Sequence, residues 1–131
     1  MSLQLGFYEN FKFEDSVLLE GTASDIEQLA ACLDAFASSQ ESTLAIHSLA
    51  SLAPNHPAQL FVSRSIPSSP PQDAAQFYWL CSSLELPAIL GKLQPLVTSG
   101  SGHQYFSLLG SSAQLVVSVG EYGPSWWQAQ G

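Results

Sequence analysis

The chain has 131 residues, 46% of them hydrophobic, and carries eleven acids against three bases, Lys12, Arg64 and Lys92, for a net charge of −8. That hydrophobic content argues against disorder. The shortage of Lys and Arg argues against binding nucleic acid or an anionic membrane, whereas a basic partner protein would be steered toward such a surface.

Leu3, Leu5 and Phe7 alternate with Gln4, Gly6 and Tyr8, a strand pattern. Residues 9–15 read as a hairpin connection to a second strand at 17–20. The first residues, MSLQLGFYEN, show neither a basic region nor a long apolar core, so no signal peptide is expected. No apolar run is long enough to cross a bilayer, and a cytoplasmic location is the expectation.

Residues 21–36, GTASDIEQLAACLDAF, form the clearest helix. Ile26, Leu29, Ala30, Leu33 and Phe36 make one apolar stripe. Ser24 and Glu27 fit a capping box, with Thr22 as a rival N-cap two residues earlier. A strand is expected at 43–47 and another at 58–64, with residues 51–57 as a turn region between them. Residues 65–73, SIPSSPPQD, are the one linker-like stretch. A strand at 76–81 follows, then a second helix with its own box at Ser82 and Glu85, Pro87 in the first turn, and Pro95, which should kink or end it. Strands are expected at 104–108 and 114–119.

The chain reads as two copies of one unit. Adding 60 to the five stripe positions gives Leu86, Ile89, Leu90, Leu93 and Leu96, all apolar. The strand at 17–19 recurs as Phe77, Tyr78 and Trp79. Ala58-Gln59-Leu60-Phe61-Val62-Ser63 recurs at an offset of 55 as Ala113-Gln114-Leu115-Val116-Val117-Ser118. The expectation is one domain, residues 1–131. Its fold class is two-layer α+β, with duplicated β-α-β-β units at 17–64 and 77–119. They should build a mainly antiparallel sheet of about seven strands, with two helices on one face. Several strands are apolar on both faces, as where Leu60 and Val62 alternate with Phe61, so something should cover the second face.

No reaction is specified. His47, His56 and His103 have no metal-ligand spacing, and Cys32 and Cys81 form no pair motif. Gly100-Ser101-Gly102 lacks the lysine of a phosphate loop. Glu20 and Glu121 could work as a pair, but nothing in one-dimensional spacing pairs them. No cofactor is indicated. The tail, residues 120–131, holds Glu121, Tyr122, Trp126 and Trp127, which we take as partner-binding residues. Aromatic side chains favour interfaces, either with another protein or in a homodimer, or they could cover the sheet's second face within the chain.

The stretch VLLEGTASDIEQLAACLDAFA, followed by His47 and the AQLFVS strand, resembles bacterial immunity proteins of the Imm32 type. The resemblance covers about half the chain and implies a cytoplasmic antitoxin that neutralises a basic toxin, such as a nuclease, by binding it. The alternative is a small-molecule-binding or catalytic domain with a pocket between helices and sheet.

Overall fold

The elements run β1 (Leu3–Phe11), β2 (Glu14–Gly21), α1 (Ala23–Ser38), β3 (Thr43–Ala45), a 3-10 turn at Ile46–Ser48, β4 (Ala50–Leu52), β5 (Gln59–Ser63), β6 (Gln76–Leu80), α2 (Leu86–Ser99), β7 (Gly102–Ser107) and β8 (Gln114–Val119). The computed structural model describes residues 2–11, 14–53, 56–65, 76–122 and 126–127. Most of the linker at 65–73 therefore lies outside the described residues. None of the described helices is long and apolar enough to cross a membrane.

The α+β expectation holds, but the sheet differs. Eight strands among the described residues form two sheets, of order β4-β1-β2-β8-β7 and β3-β5-β6. Three ladders are antiparallel and three are parallel, so the arrangement is mixed. Two of the three parallel ladders arise because each half's opening strand lies beside the other half's closing strand, β2 with β8 and β6 with β5; the third joins β1 to β4. These are the strands with apolar residues on both faces, as parallel ladders favour.

The two halves pair in matched registers. Thr43↔Ser63, Leu44↔Val62 and Ala45↔Phe61 recur as His103↔Ser118, Gln104↔Val117 and Tyr105↔Val116. Gln59↔Gln76 and Leu60↔Phe77 recur as Gln114↔Ser16 and Leu115↔Val17. The sequence offsets of 60 and 55 carry one set onto the other. The first half's extra residues hold the 3-10 turn, which cuts short the strand expected at 43–47, and β4, which runs into the turn region expected at 51–57. β4 adds to the sheet beside β1.

Both helices start and stop for local reasons. Thr22, not Ser24, caps α1: its Oγ1 accepts from Asp25 N–H at 3.1 Å, and Asp25 Oδ2 accepts from Thr22 N–H at 2.9 Å. Asp25 also accepts from Ser2 N–H at 2.9 Å, a long-range tie that Ser24 could not make. At the other end Arg64 donates to Phe36 O at 2.7 Å and Glu41 O at 2.8 Å, a cation at the negative end of the helix. In α2, Ser82 donates to Glu85 Oε1 at 2.7 Å just before the helix. Pro95 does not end α2, which continues to Ser99 and closes on Gly100 at φ 74°. The carbonyl displaced by its ring belongs to Gly91, which is exposed, so water can satisfy it.

One core joins the inner faces of both sheets to Ile26, Leu29, Leu33 and Phe36 of α1 and Ile89, Leu93 and Leu96 of α2. A smaller cluster lies on the other face of the five-stranded sheet, where Tyr8, Leu18 and Val116 meet Ala53 and Trp127. No residue of α1 or α2 enters it, so both of these helices serve one side of that sheet. Leu33 and Leu93 are fully buried at matched positions. Leu33→Ala and Leu93→Ala should each destabilise the fold by about 2–5 kcal/mol, the usual sum of lost transfer energy and residual cavity. Denaturant titration measures this, and a loss below about half a kcal/mol at both sites would contradict a shared core.

Candidate functional site

The outer face of the five-stranded sheet changes character at one end. Toward the middle it carries Leu18 and Val116, paired across β2 and β8. One row further along, each strand presents a polar residue: Ser51 beside Gln4, Gln4 beside Glu20, Glu20 beside Ser118, Ser118 beside His103. Alternation along each strand places them on one face.

Glu20 is the centre of this row and is only 6% exposed. Its Oε2 accepts from Ser118 Oγ at 2.9 Å, and both its oxygens lie 2.9 Å from Tyr122 N–H. Ser118 Oγ lies equally close, at 2.9 Å, to Glu121 Oε1. His103 Nδ1 sits 3.0 Å from Glu121. The two acids that one-dimensional spacing left unpaired therefore meet across a single serine hydroxyl. That hydroxyl has one hydrogen and can donate to only one carboxylate at a time. Burial raises the Glu20 pKa above the ordinary 4.5, the hydrogen bonds oppose the rise, and the Glu121 charge adds to it. Asp25 goes the other way. Burial alone would raise it, but hydrogen bonds from Ser2 and Thr22, with the positive charge of the N-terminus, hold its carboxyl below the ordinary 3.8.

Beside Glu20 opens a cleft of about 460 Å³ at the ends of β2 and β8, next to the start of α1. Gln4, Glu20, Thr22, Asp25, Tyr122 and Trp127 stand around it, and among the described residues no Lys, Arg or His lines it. Gly21 is required at its back: a Cβ there would lie 2.7 Å from Asp25 Cβ and 2.8 Å from Leu3 Cδ2.

The tail residues singled out from sequence fall around this cleft. Tyr122 and Trp127 line it, Glu121 joins the polar row, and Trp126 packs between Tyr122 and Trp127, with ring centroids at 4.7 and 5.2 Å. Trp127 is 4% exposed and packs over the sheet's second face, its indole N–H donating to Tyr122 O at 3.1 Å. The sequence-level reading left Glu20 out of the site. The signal was present: at the offset of 60, the acid Glu20 stands where the other half has Leu80.

The remaining candidates are dispersed. His47 lies 3.3 Å from Leu60 O and edge-on to Phe61, and His56 packs against Tyr8. Cys81 is buried, which with the nearby Glu85 charge pushes its thiol up to about 11, away from nucleophilic use. No family model, curated protein or solved structure matches the chain.

Two outcomes follow. A carboxyl with a raised pKa stabilises the fold below its ordinary value, and that contribution fades as pH rises through the folded value. Glu20→Gln should therefore gain stability relative to the parent chain between about pH 4.5 and pH 7, measured as the difference in unfolding midpoint; a parent chain that gains instead would contradict the burial argument. Truncation after Gly120 should lower the melting temperature by baring Tyr8, Leu18 and Val116, while emission from Trp79, in the other core, stays that of a buried indole.

Proposed function

We infer that the chain is a non-enzymatic protein-binding module whose partner is basic, in the manner of a bacterial immunity protein neutralising a basic toxin. The observation that carries this reading is the cleft rimmed by carboxylates and aromatic rings, with no cationic side chain among the described residues of its lining. Two of the three bases are committed elsewhere. Arg64 caps α1, and Lys92 donates to Tyr105 O and lies 4.4 Å above the Phe106 ring. The net charge of −8 is thus left to act outward, which speeds encounter with a basic protein. The same charge opposes self-association, so we favour a different partner over a second copy. The matched registers support reading the fold as a duplicated β-α-β-β unit.

A second reading rests on the same cleft: its volume falls within the range of small-ligand pockets, about 300–1,000 Å³. Co-expression with the product of the adjacent gene separates the two. A complex that survives gel filtration at low salt, dissociates at high salt and protects cell growth is the expected result. No complex with that product, together with a small molecule retained through purification, would favour the second reading.

A further inference from the structure

The Glu20 carboxylate lacks a counter-charge within the described chain. It offers about four acceptor sites and receives hydrogen bonds from Ser118 Oγ and from the Tyr122 and Glu121 backbone N–H groups, all of them neutral. Its nearest charged neighbour is Glu121, which bears the same sign and shares Ser118. Arg64 and Lys92 are held at the end of α1 and on β7, and no described cation touches Glu20. A buried carboxylate is ordinarily paired. The space beside it is not filled by protein: it is the 460 Å³ cleft, walled by Tyr122 and Trp127. Aromatic walls attract desolvated cations through the ring quadrupole. We propose that this cleft binds an alkylammonium or guanidinium head group, with Glu20 as its counter-ion and Tyr122 and Trp127 as its aromatic walls. The Asp25 carboxylate, fixed by the α1 cap, also lies at the rim, but the positive charge of the N-terminus acts on it, so Glu20 is the counter-ion. At about 460 Å³, room for roughly fifteen waters at about 30 Å³ each, the cleft admits such a head group with its stem and leaves space beside it. The proposal rests on the cleft being the binding surface, not on the partner being a protein.

Two sources supply this chemistry: a free amine, or a Lys or Arg side chain of a partner. The Trp127 indole N–H, bonded to Tyr122 O, is a reporter in the cleft wall. Titration with n-butylammonium, followed by NMR, should shift that resonance saturably, with n-butanol at least about tenfold weaker. Glu20→Gln keeps an acceptor for Tyr122 N–H and should weaken ammonium binding by about tenfold or more. Asp34→Asn, exposed on α1 and outside the cleft lining, should leave binding unchanged. A glycine-flanked lysine peptide that binds more tightly than butylammonium points to a protein side chain, and the reverse order points to a free amine. No saturable shift, an equal response to the alcohol, or an unweakened Glu20→Gln variant overturns the proposal. If Glu20→Gln fails to fold, the selectivity of the parent chain for ammonium over alcohol still decides the matter. A cation-selective cleft without any protein complex would sink the immunity reading alone.

Discussion

The five-stranded sheet carries apolar side chains on both faces, so water must be kept off both. On the inner side α1 and α2 do this with their stripes. On the outer side neither α1 nor α2 reaches, and among the described residues the cover comes from Ala53 and Trp127, with Tyr122 and Trp126 packed against them. A short segment ordered over a sheet loses conformational entropy and needs a fixed point. Glu20 supplies it by accepting the Tyr122 N–H, and the Tyr122 carbonyl in turn accepts the Trp127 indole. The carboxylate is buried because the cover closes over it. The cleft is the gap between that cover and the first turn of α1.

The site belongs to the five-stranded sheet and has no counterpart on the three-stranded one, although the two pair in matched registers. Where the first half has Glu20, the second has Leu80; where β8 has Ser118, β5 has Ser63 without a carboxylate beside it. The outer face of the small sheet instead carries Phe61 stacked on Tyr78, with centroids 5.2 Å apart and His47 edge-on to Phe61. Equivalent positions thus bear different chemistry on an equivalent backbone.

The helices were legible because a stripe at 3.6-residue spacing has one meaning, and the matched registers were legible because AQLxVS occurs twice. Strand direction was not legible. A residue alternating across a pleat looks the same whether its neighbour runs parallel or antiparallel, so the exchange of β2 and β6 and the division into two sheets could not be read. β4 was missed because three residues, largely exposed, leave no period. The α1 cap is Thr22 because Asp25, rather than Glu27, completes the box, and Asp25 also accepts from Ser2, 23 residues away. The tail aromatics announced themselves by size. Glu20 did not, since a single acid in a strand ordinarily faces water, and only the closing tail makes it a buried one.

The exchange of opening strands means that neither half possesses a complete sheet of its own. β2 waits for β8, whose Ser118 lies 98 residues away along the chain, and β5 gains its parallel neighbour only when β6 arrives. Closing such distant pairs before they are rewarded makes folding slow relative to a chain of local contacts. It also makes the halves mutually obligate templates. Divided between β5 and β6, the polypeptide would yield two fragments, each holding the strand the other lacks. That is the arrangement of a split protein, in which reassembly reports that two tethered fusion partners have met.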